Sequence, residues 1–204
     1  MNNYEYTLKK FDIDSEAKSP VSLQYKRDEL AKLFKELNFK SGAEIGVARG
    51  KFSAMVCEMN PNLKLYSIDP WIVYDGYDEK HSKDENNFRY NYIRASRLLR
   101  SFKNCKIIKK LSMDAVKDFT PESLDFVYID GNHAYKYVLE DITEWAKIVR
   151  KGGIISGHDY KAYPGTNINI EPGQAIDKYV KENNIKMLFT FVKENDGSWF
   201  FVNE

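Results

Sequence analysis

Two short segments carry residues able to hold a metal or move a proton. They are Tyr128-Ile129-Asp130-Gly131-Asn132-His133 and, about one helix later, Gly152-Gly153-Ile154-Ile155-Ser156-Gly157-His158-Asp159-Tyr160. Each is an apolar run that ends abruptly in Asp and His, as when an open α/β sheet presents chemistry at the carboxyl ends of its strands. Asp130, His133, His158 and Asp159 are therefore expected to face one crevice, near enough to hold a divalent cation, a reactive hydroxyl or both.

A third segment is suited to binding rather than chemistry. In Glu44-Ile45-Gly46-Val47-Ala48-Arg49-Gly50, the two glycines let the backbone come close to a ligand, and the helix that follows offers free amides. A dinucleotide fingerprint would need glycines near 48 and 51, where Ala48 and Lys51 stand. A P-loop would need Ser or Thr directly after Gly-Lys, and Phe52 intervenes. Asp69, which ends the next apolar run, adds a carboxylate at a strand end.

The elements needed to position these residues alternate along the chain. Apolar residues at helical spacing predict a helix over 22–38, and Ser41-Gly42 breaks it before a strand at 43–46. Further helices are expected over 51–59, 88–102, 138–149 and 172–183, with Ser112 capping a short one. Strands are expected over 63–68, 106–108, 124–129, 154–157, 186–192 and 199–202. Gly152-Gly153 reads as the stop of the fourth long helix, and Asn195-Asp196-Gly197-Ser198 as a hairpin turn. The result is one α/β domain over 25–204 behind an extension at 1–24, with a polar, aromatic-rich insertion at 71–87. Its sheet should have seven strands, mostly parallel, with an antiparallel hairpin at the carboxyl end.

The composition excludes several classes of partner. With 31 basic and 30 acidic residues the net charge is +1, so no basic footprint for nucleic acid or an anionic membrane exists. A small molecule is the expected partner. Cys57 and Cys105 are too few for a disulfide framework and lack metal-ligand spacing, which favours reduced thiols in the cytoplasm. The start of the sequence has no apolar secretory core, and no later run is long enough for a bilayer.

Together these motifs resemble the class I S-adenosylmethionine-dependent methyltransferases, and among them the small-molecule O-methyltransferases of the methyltransferase domain 24 kind, over about residues 25–202. Glu44-x-Gly46-x-x-x-Gly50 matches that family's first motif, against which the methionine part of the cofactor lies. Asp69 matches the acid that accepts from the ribose hydroxyls, and Ser112-Met113-Asp114 falls where relatives contact the adenine. Asp69-Pro70-Trp71, Ile129-Asp130-Gly131-x-His133-x-Tyr135 and Gly157-His158-Asp159-Tyr160 look like the same subgroup. The implied fold is Rossmann-like. The implied cofactor is S-adenosyl-L-methionine, contacted by Glu44, Gly46, Gly50, Asp69, Trp71, Ser112, Met113 and Asp130.

The resemblance also implies a reaction, methyl transfer to a hydroxyl of a small polar acceptor such as a sugar or a natural product. In-line displacement needs the acceptor oxygen held against the methyl group and its proton removed. His133, three residues after Asp130 and with an ordinary pKa of about 6.5, is the expected base. In metal-dependent relatives a cation on the acceptor hydroxyls is held at the positions of Asp130, His158 and Asp159. Histidine at 158, where relatives often carry Asp or Glu, favours Mn²⁺, Fe²⁺ or Zn²⁺ over Mg²⁺. His81, in a charged stretch, is expected to be solvated. Trp71, Tyr74 and Tyr77 are expected either to stack on the adenine, to form a lid, or to serve packing or a homo-oligomer interface. DNA-adenine N-methylation is disfavoured, because Asp130-Gly131-Asn132-His133 stands where those enzymes place Asn/Asp-Pro-Pro-aromatic. The competing reading is a cofactor-binding module without turnover, acting as a partner subunit.

Overall fold

Alternate residues of the central strand, Leu124–Ile129 (β5), are buried on opposite sides, because this strand lies inside a sheet covered by helices on both faces. Val127 and Ile129 point into one core, Phe126 and Tyr128 into the other. The computed structural model describes residues 1–77, 83–160, 171–194 and 197–204. His81 and the tip of the expected hairpin, Asn195-Asp196, lie outside the described residues.

Eight strands form one sheet among the described residues. Besides β5 they are Val21–Leu23 (β1), Ser41–Ile45 (β2), Lys64–Ile68 (β3), Cys105–Ile108 (β4), Val149–Gly157 (β6), Phe189–Phe191 (β7) and Ser198–Val202 (β8). Their order is β1-β7-β8-β6-β5-β2-β3-β4, and only β8 runs antiparallel to its neighbours. The expected seven strands and carboxyl-terminal hairpin are present as β2 to β8. The eighth, β1, is a correction: Leu23 belongs to a strand paired with Phe191, not to a helix. The helix predicted from residue 22 begins only at Asp28 and runs Asp28–Glu36 (α2).

The helices follow their apolar spacing. Val138, Ile142 and Trp145, four and three residues apart, give Tyr135–Ile148 (α6) one buried face. It shares a core with Ser112–Ala115 (α5) and Glu171–Glu182 (α7). The opposite face carries Asn3–Phe11 (α1), α2 and Lys51–Met59 (α3). Glu85–Leu99 (α4) packs beside α3. It starts earlier than its apolar periodicity suggests because the Asp84 carboxylate caps it, accepting from the amides of Asn86 and Asn87 at 3.0 and 3.2 Å.

Two further expectations are corrected. Gly152-Gly153 does not stop a helix but lies within β6, which begins at Val149 and changes register against β5 between Leu124 and Phe126. Ser112 is not a cap: Leu111 holds that position without a side-chain bond, and the Ser112 hydroxyl is engaged elsewhere.

Register places the chemistry. Ile45 pairs with Ile68 and with Ile129, and Ile129 pairs with Gly157. Four strands therefore end level, and the residues just past them, Gly46, Asp69, Asp130 and His158, line up along one edge. The sheet's direction of progression reverses between β2 and β5, the point at which open α/β sheets hold ligands.

Candidate active site

A cavity of about 560 Å³ opens at that point, within the range of about 300–1,000 Å³ typical of small-molecule sites. Gly46 shapes its floor. Its φ is +87°, and a Cβ there would sit 2.0 Å from the Asp130 carbonyl oxygen, so the turn after β2 can lie against the turn after β5 only if residue 46 is glycine. Gly50, with φ +79°, meets Leu99 and Ala95 of α4 instead and does not line the cavity.

Asp69 organises the opposite wall. Its Oδ2 accepts the amides of Val47 and Ala48 at 3.0 and 2.9 Å, and its Oδ1 accepts the Trp71 amide at 2.7 Å. Three of a carboxylate's about four acceptor positions are thus filled by backbone, leaving room for a ligand hydroxyl at Oδ1. Burial raises the Asp69 pKa, and the three amides pull against it. Trp71 is 3% exposed, adopts φ 45°, and donates its Nε1–H to the Ala48 carbonyl at 2.8 Å, locking the two turns together.

Glu44 lies behind this wall rather than on it. It is 2% exposed, accepts the Ser53 hydroxyl, and is pushed well above the usual carboxylate range by burial. Ser53 in turn meets Ser67 at 2.6 Å, so Glu44 supports the glycine turn from the α3 side of the sheet.

At the far end, Ser112 and Met113 line the cavity as the sequence suggested, but the Ser112 hydroxyl is committed. It donates to Asp141 Oδ1 and accepts the Trp145 indole N–H at 2.9 Å. Asp141 itself, on α6, lines the cavity and is 5% exposed. Its Oδ2 is on the Gly131 side, 3.8 Å from where a Gly131 Cβ would be. Sequence reading missed Asp141, since an acid inside an amphipathic helix normally faces water.

Burial lifts the Asp141 pKa to about 7, against the Ser112 bond that lowers it and with Glu140 adding to the rise. An acid whose folded pKa exceeds its ordinary 3.8 stabilises the fold fully below that value and loses this stabilisation as pH climbs to about 7. The melting temperature of ligand-free Asp141→Asn relative to wild type should therefore rise between pH 5 and pH 8, and the offset should level off above about pH 7. An offset that is the same at both pH values would contradict a buried, titrating Asp141.

The described part of the 71–87 insertion covers the cavity. Tyr74 and Tyr77 stack at 5.4 Å with their planes 4° apart, and Asn132 holds the segment down by donating to the Gly76 carbonyl at 2.8 Å.

The acid and imidazole groups converge at the other end. Asp130, His133 and Asp159 present donor atoms all within 4.8 Å of one another. His133 Nε2 is 3.0 Å from Asp159 Oδ2 and 3.6 Å from Asp130 Oδ1. Asp130 also lines the cavity, so it belongs to both places. His158, expected among the ligating group, is not one of these three and touches the cluster through Asp159. Its Nδ1 contacts Asp159 Oδ1 at 3.1 Å, and its Nε2 faces Glu194 at 4.0 Å. Burial opposes ionisation of Asp159, but the imidazoles of His133 and His158 outweigh it and hold this carboxyl below the usual range. Burial likewise lowers His158, and Asp159 with Asp130 raises it above its ordinary value.

Two charged residues here gave no sequence signal. Arg27, just before α2, places its guanidinium 3.6 Å from both Asp130 Oδ2 and Glu194 Oε2. Glu194, after β7, accepts the Ser198 hydroxyl. Each is isolated in its own segment and meets the others only through the sheet.

A family described as a methyltransferase domain matches residues 43–160, from β2 to the end of the Asp159 turn. The chain belongs to this methyltransferase family. Among curated proteins, this chain is 32% identical over 124 residues to the uncharacterized protein R132 of Acanthamoeba polyphaga mimivirus. That match covers 59% of the chain and 51% of the relative, so the chain spans about half of that protein's length. Among solved structures, the O-methyltransferase of Bacillus cereus in complex with SAH superposes with a TM-score of 0.59 at 17% identity, covering 99% of this chain and 90% of that one. TomG of Streptomyces achromogenes, an O-methyltransferase involved in tomaymycin synthesis and solved with SAM, gives 0.60 at 14% identity, with coverage of 99% and 88%. At such identities the likeness is one of fold. It is the Rossmann-like class I methyltransferase fold, here with β1 added at the edge. No helix among the described residues is long and apolar enough to cross a membrane.

Proposed function

We propose that this chain transfers a methyl group from S-adenosylmethionine to a hydroxyl of a small polar acceptor such as a sugar or a natural product. The observation that carries this reading is the double membership of Asp130, which lines the 560 Å³ cavity and also stands in the Asp130–His133–Asp159 cluster. A cofactor in the cavity would thus meet an acid–imidazole group at one end. When bound, it supplies the electrophilic methyl group.

The chain's own residues supply the rest. Asp69 Oδ1 would accept a ribose hydroxyl of the bound cofactor, and Ile68, Met113 and Asp141 would line the part of the cavity left for its base. His133, oriented by Asp159 at 3.0 Å, stands at the strand end to receive the acceptor's proton. Tyr74 and Tyr77 limit the entry of water from above.

The same cluster fits a divalent cation, since two carboxylates and an imidazole form a mixed oxygen and nitrogen donor set. Asp130, His133 and Asp159 would hold it, and the ion would lower the pKa of acceptor hydroxyls. His158 then acts behind the ligands by fixing Asp159.

Calorimetry with S-adenosylhomocysteine tests the cofactor reading. Wild type should bind, and Asp69→Ala should weaken binding by about 2 kcal/mol or more, roughly 30-fold, because a charge-assisted bond and the anchored turn are lost together. Unchanged affinity in the variant would remove the cofactor from this cavity. Binding with no product from any hydroxyl acceptor would favour a partner subunit without turnover.

A further inference from the structure

A net charge of +1 speaks against a basic footprint only as an average over the chain, and the charge is unevenly distributed. Between Glu85 and Asp114 the sequence holds eight basic residues and no acidic one. Four of them, Arg89, Arg94, Arg97 and Arg100, lie on α4 or cap its end. This helix buries Ala95 and Leu99, with Tyr92 beside them, against Trp71 and Val47, so its 3.6-residue repeat turns the remaining arc outward. Arg89, Ile93, Arg97 and Arg100 form one exposed stripe along that arc, and Tyr90, Arg94 and Leu98, four residues apart, form the next.

Two properties set this face apart from an ordinary solvated surface. Its cations lack acids: among the described residues none of the four arginines is in an ion pair, whereas Lys32, Lys117, Lys147 and Lys178 elsewhere on the surface each meet a carboxylate. Repulsion between arginines three residues apart is thus left uncompensated. Arg49, in the turn before α3, adds another cation, with its guanidinium 5.5 Å from the Tyr90 ring and that of Arg94 at 6.0 Å. The same face is also apolar. Tyr90, Ile93 and Leu98 are 49%, 44% and 40% exposed, where solubility alone would place polar side chains.

We propose that the outer face of α4 docks on an anionic lipid bilayer. The guanidiniums meet headgroup phosphates and carboxylates, while Ile93, Leu98 and the Tyr90 ring enter the boundary between headgroups and acyl chains. Affinity for a membrane surface grows with both terms, the buried apolar area and the attraction to anionic lipid. A nucleic acid suits this face less well. Aliphatic side chains gain nothing against a phosphodiester backbone, and the Tyr90 ring already carries two guanidiniums where a base would stack. Docking brings to the bilayer the cavity that the adjacent side of α4 lines through Asn87 and Asn91.

Sedimentation of the whole chain with vesicles of phosphatidylcholine and phosphatidylglycerol, against vesicles of phosphatidylcholine alone, tests this. Wild type should bind the mixed vesicles only, and less as salt is added. Arg89→Gln combined with Arg97→Gln should weaken binding about 25-fold, about 5-fold for each arginine at a membrane surface. Ile93→Ser should weaken it as well and keep the salt dependence. Lys117→Gln combined with Lys147→Gln, which removes the same charge from elsewhere on the surface, should stay within about 2-fold of wild type. Melting followed by circular dichroism checks that each variant is folded. Absence of wild-type binding to the mixed vesicles, equal binding to phosphatidylcholine alone, an equal loss in the lysine pair, or tighter binding to single-stranded RNA at the same ionic strength would overturn the proposal.

Discussion

Gly46→Ala is expected to eliminate cofactor binding and to cost about 3–5 kcal/mol of stability, the sum of a strained positive φ and an overpacked contact. The added methyl would meet the Asp130 carbonyl at 2.0 Å, and backbone on both sides leaves no flexible side chain to yield. The turn after β2 and the turn after β5 would have to separate, although Asp130 N–H donates to the Ile45 carbonyl at 2.8 Å just beside them. Urea unfolding followed by fluorescence, with calorimetry on S-adenosylhomocysteine, measures both effects. A variant that binds the cofactor normally would mean that this wall is not the cofactor's.

His133→Ala should lower kcat about 10²–10⁴-fold with any hydroxyl acceptor that wild type accepts, the usual contribution of a positioned proton-transfer group. Affinity for S-adenosylhomocysteine should change by no more than about 2-fold, because His133 is outside the cavity lining while Asp130 is within it. Metal dependence divides the two roles of the imidazole. The same Nε2 that contacts Asp159 is within reach of Asp130, so an ion held there would take up that nitrogen. If wild-type turnover follows added Mn²⁺ and disappears with a chelator, His133 serves as a ligand; if turnover survives exhaustive chelation, it serves as the base. A variant with wild-type kcat would exclude both.

The strand ends were legible in sequence because each couples an apolar run to a sudden polar residue, and this local contrast survives any tertiary context. Gly46, Asp69, Asp130 and His158 could thus be placed at one edge before their pairing was known, and register then brought them level. What sequence could not supply is contact between distant segments. Asp141 sits in a helix whose periodicity is ordinary, and only the approach of Ser112 marks its face as internal. Arg27 and Glu194 are common surface residues until β1, β7 and β8 carry their segments over the site. Sequence pattern, which makes His133 a base and His158 a ligand, does not encode which imidazole comes near both Asp130 and Asp159, because the Asp159 turn adopts a φ of 60°.

Pairing of β1 with β7 has a consequence for how the chain acquires its structure. Val21 is synthesised well before its sheet partner Phe189. Contacts so distant along the chain form slowly, since loop closure must precede any gain from pairing. The segment at 21–23 must therefore wait on the ribosome while β2 to β6 condense from nearer neighbours, and the edge beyond β6 stays open until β8 inserts and β7 offers its outer side. Pulse-labelled hydrogen exchange during refolding should show protection at Phe126 and Val127 well before the amide of Val21, which in the finished fold donates to Leu188 at 2.8 Å.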